Sequence, residues 1–139
     1  FHQHYGRENI VRNNVFAFGK EFQLMRTRAE PHLSFTFENN IVYFDEGRLL
    51  GSNWTGDHFR MRKNIYWDTR GNELQFSGRS WQEWQKEGHD AGSVIADPLF
   101  VNAGSYNFKP LPDSPALKLG FKPIEMEDVG PRAPAGAAR

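Results

Sequence analysis

The stretch ENNIVYF, residues 38–44, places two asparagines directly before the apolar run at 41–44. Asparagine is a poor strand former and is costly to bury, so a pair of them at the head of an apolar strand needs an explanation. A simple turn is one explanation. The chain offers a second one, because the same phrase occurs more than once.

Three segments share alternating apolar residues, then an Asn, an apolar or aromatic run and a Gly-containing turn; they are ENIVRNNVFAFG (8–19), SFTFENNIVYFDEG (34–47) and FRMRKNIYWDTRG (59–71). Alignment on Asn14, Asn40 and Asn64 gives steps of 26 and 24 residues. A step of this size in strand-like segments fits one coil of a solenoid. The Leu and Asn spacing of leucine-rich repeats is absent, and the period of two argues against helical repeats.

The aligned asparagines predict a stacked ladder. Equivalent residues of successive coils in a parallel β-solenoid lie about 4.8 Å apart, and an inward Asn at a bend then bonds to the coils above and below it. We therefore expect Asn14, Asn40 and Asn64 to form consecutive rungs, with Asn39 facing outward or holding the turn. The alternative is a chance asparagine in three separate turns.

A second parallel sheet is predicted from strand-like segments that alternate with the ladder strands, which are FHQHY (1–5), FQLMRTR (22–28), RLLGSNW (48–54) and LQFSG (74–78). One such strand in each coil gives three to four coils. We assign residues 1–79 to the coils, residues 80–124 to a C-terminal cap of the same domain, and residues 125–139 to a disordered tail.

The cap begins with a helix signal. Ser80 is followed three residues later by Glu83, which is a capping box, and Gly88 is a C-terminal stop, so the sequence predicts a helix over 81–87 that buries Trp81 and Trp84. Further on, Asp97-Pro98 marks a turn between short strands, and the sequence SPALKLG (114–120) predicts a turn or two of helix. Such a cap would cover the last coil.

Composition excludes several classes of protein. The 139 residues include 17 basic and 17 acidic side chains, so no basic field indicates nucleic acid or an anionic membrane. There is no Cys, which excludes disulfides, thiolate zinc sites and Cys nucleophiles. No apolar run is long enough for a membrane span. Because the chain starts at Phe1 without a Met, we expect it to be a piece of a longer or processed chain.

The C-terminal stretch GHDAGSVIADPLFVNAGSYNFKPLPDSPALKLGF (88–121) carries a resemblance. Its phrases DPLF (97–100) and SPA (114–116) resemble the end of right-handed parallel β-helix proteins of the pectate-lyase-like superfamily. Residues 1–19 and 39–47 resemble coils of their secreted bacterial, glycoside-hydrolase-like members. The resemblance implies an all-β, right-handed parallel β-helix, a polysaccharide or oligosaccharide partner, no cofactor, upstream coils of the same chain, and a secreted, periplasmic or cell-surface location.

The same superfamily includes lyases, hydrolases, epimerases and non-enzymatic adhesins, so fold alone does not fix an activity. Two function classes stay open: part of a polysaccharide-degrading hydrolase or lyase, or a non-catalytic β-helix end that binds glycan or has a structural role. A row of side chains on one sheet and its loops would bind the polymer; the candidates are His2, His4, Tyr5, Arg26, Arg28, Asn53, Trp54 and Trp67. We expect His2, His4, Arg26 and Trp54 to share one exposed face.

Cleavage of a glycosidic bond would require a proton-transferring side chain and paired carboxylates. The candidates are His4, Asp45 and Asp68; the two aspartates follow ladder strands at nearly equal offsets, so they could lie close together. A lyase could use Arg26 or Arg28 instead. His2 and His4 share one face of a strand, but two ligands without a nearby carboxylate such as Glu8 or Asp45 are too few for a metal, and no metal site is predicted.

Overall fold

Three parallel sheets wind into a β-solenoid of about four turns in the computed structural model, which describes residues 1–131. Sheet A contains β1 (His2–Gln3), β4 (Phe22–Arg26) and β7 (Arg48–Gly51); sheet B contains β2 (Asn9–Arg12), β5 (Phe35–Glu38) and β8 (Phe59–Arg62); sheet C contains β3 (Val15–Ala17), β6 (Ile41–Phe44), β9 (Ile65–Asp68) and β10 (Val94–Ile95). Each turn places one strand in each sheet until the chain leaves sheet A after β7. The predicted all-β solenoid is confirmed.

The asparagine ladder is confirmed at the bend between sheets B and C. The Asn14 backbone N–H donates to Asn40 Oδ1 at 3.0 Å, and the Asn40 N–H donates to Asn64 Oδ1 at 3.0 Å. A fourth rung follows that the sequence did not indicate, because the Asn64 N–H donates to Ser93 Oγ at 2.8 Å. The side chains thus satisfy backbone donors that the bend removes from the sheets.

The residue before each rung explains the asparagine pair. Asn13, Asn39 and Lys63 have φ values of 56°, 53° and 52°, which is the left-handed region that Asn enters more readily than most residues. This single residue turns the chain from sheet B into sheet C. Asn39 also faces outward, as one alternative expected, and its Nδ2 donates to the Leu119 carbonyl at 2.7 Å.

Two expectations about the strands are wrong. Each ladder segment forms two strands, one in sheet B and one in sheet C, because the left-handed residue before the rung bends the chain. The segment 74–78 is not a strand of sheet A: it turns back at Ser77 (φ 55°) and Gly78 (φ 82°), and Phe76 makes one antiparallel bridge to Arg79. The turn lets the Phe76 ring pack on Trp84 at 5.5 Å and close the apolar interior.

The predicted helix is present as α1 (Trp81–Lys86), with Ser80 as N-cap. The Glu83 N–H donates to Ser80 Oγ at 3.2 Å and the Ser80 N–H donates to Glu83 Oε2 at 2.8 Å, which completes the capping box. Trp84 is buried and Trp81 is half-buried against the same cluster. The helix therefore covers the end of the interior, as predicted.

Loss of the Ser80 N-cap hydrogen bond should lower the stability of the protein measurably. The Ser80→Ala variant should lose about 1 kcal/mol of unfolding free energy, because the N–H of Glu83 loses its acceptor. Urea unfolding of Ser80→Ala beside Ser105→Ala, an exposed serine with no side-chain hydrogen bond in the described chain, gives the comparison. Equal stabilities of the two variants would contradict the capping role.

The rest of the C-terminal segment packs along the outer face of sheet C, where its apolar cluster includes Val94 of the last turn. It contains an antiparallel pair, β11 (Phe100–Asn102) and β12 (Asn107–Pro110), a 3-10 turn (Ala103–Ser105), and α2 (Pro115–Lys118) capped by Ser114. Ala116 and Phe121 pack on Ile41 and Ile65, on the outer face of sheet C. The outer face carries apolar side chains as well as the inner one, so the segment buries that face.

The C-terminal segment reaches back to the first turn, where Asn13 Nδ2 donates to the Lys122 carbonyl at 2.9 Å. Residues 125–131 contain no helix or strand. The remainder of the tail predicted to be disordered, 132–139, lies outside the described residues. Within the described part of the chain, no helix has the length and apolar character needed to cross a membrane.

Candidate functional site

Four of the predicted site residues meet where the chain passes from sheet A to sheet B in the first two turns. We call this region the loop surface; it consists of His2, His4, Tyr5, Thr27 and Arg28. All but Thr27 are exposed. The parallel pairing of β1 with β4 brings the first loop beside the second, because His2 and Gln3 align with Met25 and Arg26.

Thr27 joins the two histidines. Its Oγ1 lies 2.8 Å from His2 Nε2 and 2.9 Å from His4 Nδ1. A hydroxyl has one proton and can also accept hydrogen bonds, so at least one imidazole donates its N–H to Thr27. Sequence analysis did not single out Thr27, because a lone Thr after a strand carries no motif.

Tyr5 provides an exposed ring beside them, with 62% of the residue accessible to solvent. The guanidinium carbon of Arg28 lies 4.4 Å from its ring centre, which is a cation–π contact, and the His4 ring meets it edge-on at 4.6 Å. Arg28 Nε also donates to Glu30 Oε1 at 3.2 Å. The ring is therefore held in place while remaining open to solvent.

Arg26 and Trp54 were expected on this surface, and that expectation is wrong. Both are about 1% exposed because they point into the solenoid. Arg26 lies over the Phe59 ring at 5.0 Å and donates to the Asn53 carbonyl, while Trp54 Nε1 donates to the Gly51 carbonyl at 2.9 Å. Burial lowers the pKa of Arg26. Both side chains are enclosed within the solenoid and cannot line an exposed face.

Asn53 and Trp67 lie elsewhere. Asn53 is exposed in the third loop between sheets A and B, where its carbonyl accepts from Arg26. Trp67 is half-buried on the outer face of sheet C and aligns with Tyr43 of the preceding turn. Neither belongs to the loop surface as defined above.

Asp68 is buried, and both of its carboxylate oxygens accept hydrogen bonds from neighbouring residues. Its oxygens accept from Arg70 Nε at 2.8 Å, Arg70 Nη2 at 2.9 Å, the Arg70 backbone N–H at 3.0 Å and Asn72 Nδ2 at 3.3 Å. These bonds, led by those of the Arg70 side chain, hold the pKa of Asp68 below its ordinary value. Asp68 lines a cleft of about 420 Å³, where these hydrogen bonds order the turn after β9.

Asp45 does not pair with Asp68 as the repeat offsets suggested. The register aligns Phe44 with Asp68, so Asp45 lies one residue beyond. Consecutive strand residues point to opposite faces, and Asp45 is exposed whereas Asp68 is buried. The expected pair of facing carboxylates is therefore absent at these two positions. Among residues 1–131, no group of three or more His, Asp or Glu side chains is arranged to hold a metal ion.

A row of histidines runs along the same side of the solenoid, one in each turn, and sequence analysis missed it. His4, His32, His58 and His89 lie 10, 8, 6 and 4 residues before the rungs of the ladder. His32 Nε2 lies 3.1 Å from the Gly6 carbonyl, and His58 Nδ1 lies 2.8 Å from the Glu30 carbonyl, each on the preceding turn. Because the offset from the rung differs in each turn, the fixed spacing that identified the ladder does not identify these histidines.

Comparison with known proteins leaves the family open, since no family model, curated protein or solved structure matches the chain. The superfamily named by resemblance stays a prediction. The fold and the geometry of the loops are what bear on function.

Proposed function

We propose that the protein binds a carbohydrate chain on the loop surface. The observation that carries this proposal is the exposed Tyr5 ring, held by Arg28 and bordered by His2 and His4. Aromatic rings pack on the apolar C–H faces of sugars, while imidazole and guanidinium groups hydrogen-bond their hydroxyls. The resemblance to polysaccharide-active β-helix proteins points to the same class of ligand.

A binding role fits the described residues better than cleavage. Glycosidic hydrolysis uses a proton donor and a second carboxylate on either side of the bond, and the Asp45 and Asp68 side chains do not face each other. A hydrolase or lyase remains the second candidate function, with His4 as its proton-transferring group. A secreted, periplasmic or cell-surface location is part of this proposal, because the polysaccharide that we propose as the ligand would lie outside the cell.

The upstream coils implied by the resemblance would stack on the first turn. Strands β1, β2 and β3 each pair on one side only within the described chain, and an unpaired strand edge readily accepts another strand. Asn40 and Asn64 each accept the N–H of the rung before them. Asn14 Oδ1 would accept the N–H of a further rung in the same way.

Substitution of Tyr5 tests the binding proposal. The Tyr5→Ala variant should bind the recognised polysaccharide about 10-fold more weakly, which corresponds to roughly 1.4 kcal/mol, because the ring that packs on the sugar is lost. Affinity should be measured by calorimetry against a panel of plant and algal polysaccharides, using the longest chain that can be produced.

Tyr106→Ala is the matched control. Tyr106 is 76% exposed but lies beside Phe18 and Phe108, against the outer side of sheet C. Its removal should leave affinity unchanged. Equal affinity of Tyr5→Ala and the parent protein for every polysaccharide that binds would show that the loop surface is not the site.

A further inference from the structure

A second cleft lies farther along the same side of the solenoid, beside the last strand of sheet B. Its volume is about 430 Å³, and it is lined by Asp57, Phe59, Arg60, Arg62, Glu87 and His89 among others. Strand β8 has β5 on one side and only a single bridge, Arg62 to Ala91, on the other. The cleft occupies the space that this incomplete pairing leaves.

His89 is the feature of this cleft that points to a ligand. Its side chain is only 9% exposed, and its ring stacks on Phe59 at 4.8 Å and on Trp84 at 4.2 Å. Within residues 1–131 neither ring nitrogen makes a hydrogen bond; the nearest charged group is Glu87 Oε2, 3.9 Å from Nε2. The ring nitrogens thus have no protein partner in the described chain but are not fully enclosed, so they can hydrogen-bond a molecule that enters the cleft.

The surroundings of His89 lower the pKa of its ring and so favour the neutral form. Burial is the main cause and lowers its pKa from the ordinary value of 6.5; Arg79 adds to this, whereas Glu87, Asp90 and Asp57 oppose it. A neutral imidazole has one donor and one acceptor nitrogen. That pair of functions matches a hydroxyl group, which can donate and accept as well.

The other charges in the cleft favour an uncharged ligand. Two acidic side chains, Asp57 and Glu87, face two basic ones, Arg60 and Arg62. Arg62 is already paired with Glu38 at 2.6 Å, and Glu87 with Arg79 at 2.8 Å. No excess of either sign remains to attract an anion or a cation, while donors and acceptors for hydroxyls are both present.

We propose that this cleft is a second carbohydrate subsite, in which His89 hydrogen-bonds a hydroxyl of one sugar residue that enters the cleft. The inference rests on the proposed carbohydrate function and extends it. The loop surface belongs to the first two turns and His89 to the fourth, so they lie two to three strand spacings apart along the solenoid, roughly 10–15 Å. One extended oligosaccharide along the loops could reach both.

Nuclear magnetic resonance of the histidine rings tests the proposal directly. Long-range proton–nitrogen spectra should be recorded while hexasaccharides of glucose, mannose, xylose or galacturonic acid units are added. We expect at least one hexasaccharide to shift the ring nitrogen signals of His89. The His89→Phe variant keeps the stacking on Phe59 and Trp84 but has no ring nitrogen, and it should bind that hexasaccharide about five-fold more weakly.

His32→Phe is the control, because His32 is also a row histidine but does not line the cleft; its affinity should equal that of the parent. If a hexasaccharide shifts Tyr5 and Arg28 but leaves His89 unchanged, the second subsite is wrong and the loop surface stands. If no hexasaccharide or polysaccharide shifts either region, both proposals fail. The spectra of the parent protein decide between these outcomes even if His89→Phe does not fold.

The pH dependence gives an independent check. Because the folded pKa of His89 is lowered, the stability gained by keeping its ring neutral is complete above pH 6.5 and is lost as pH falls through the lower folded pKa. Without ligand the His89 ring should titrate with a midpoint below 6.5, and affinity for the hexasaccharide should decrease as the ring becomes protonated. A midpoint above 6.5 would contradict the neutral ring on which the subsite depends.

Discussion

Replacing Asn64 with alanine should lower the free energy of unfolding by about 3 kcal/mol, because several buried groups lose their partners at once. Asn64 is fully buried. Its Oδ1 accepts from the Asn40 N–H at 3.0 Å, and its Nδ2 donates to the Phe37 carbonyl at 3.0 Å and to Asp90 Oδ1 at 3.1 Å. It thus joins two turns of the solenoid and the segment that follows α1.

Asn14→Ala is the matched control for this effect. Asn14 is half-buried, and its Nδ2 donates to the nearby Arg12 carbonyl at 2.9 Å as well as to Asn40 Oδ1 at 3.0 Å, so we expect a loss of about 1 kcal/mol. Guanidinium unfolding followed by circular dichroism measures both. Equal, small losses of unfolding free energy in the two variants would contradict a stabilising role for the buried hydrogen bonds of the ladder.

Replacing Asp90 with alanine should cost about 4 kcal/mol, since it removes a buried acceptor shared by four donors. Asp90 is 0% exposed. Its Oδ1 accepts from Ser93 Oγ at 2.6 Å, Tyr66 Oη at 2.8 Å and Asn64 Nδ2, and its Oδ2 accepts from Trp84 Nε1 at 2.8 Å. The Asp90 carboxylate therefore links α1 to the last rungs of the ladder through hydrogen bonds.

Asp90→Asn separates charge from shape. The new amide nitrogen would take the place of one carboxylate oxygen and face either the Nε1–H of Trp84 or the donors that now reach Oδ1. At least one hydrogen bond would be lost, and two donors would face each other. We expect a loss smaller than that of Asp90→Ala but still about 2 kcal/mol. Full stability of Asp90→Asn in denaturant would show that the four contacts are not what holds the helix in place.

The ladder could be predicted because its signal is periodic. Three asparagines at near-constant steps, each before an apolar run, have few explanations other than stacking. The number of sheets could not be predicted in the same way. Whether the chain continues straight or bends at Asn39 depends on one left-handed residue, and Asn occurs in turns of many kinds.

The candidate site was predicted in part. His2 and His4 were expected on one exposed face, and Tyr5 and Arg28 were among the candidates on the same sheet and its loops. Arg26 and Trp54 were misplaced because sheet A carries polar side chains inward: Gln3 and Arg26 are aligned on neighbouring strands and both are buried. In such a strand polarity no longer separates the inner from the outer face, so the direction of a side chain cannot be determined from the alternation of residues.

The central claim, that a carbohydrate chain lies on the loop surface, is tested most directly by mapping ligand contacts on the unmodified protein. Backbone and side-chain resonances should be followed while the polysaccharide panel, as soluble oligosaccharides, is added. We predict that the largest shifts fall on residues 2–5 and 27–28, with the Tyr5 ring signals among them. Binding whose shifts all fall on the outer face of sheet C, away from these loops, would contradict the claim, as would a complete lack of shifts across the panel.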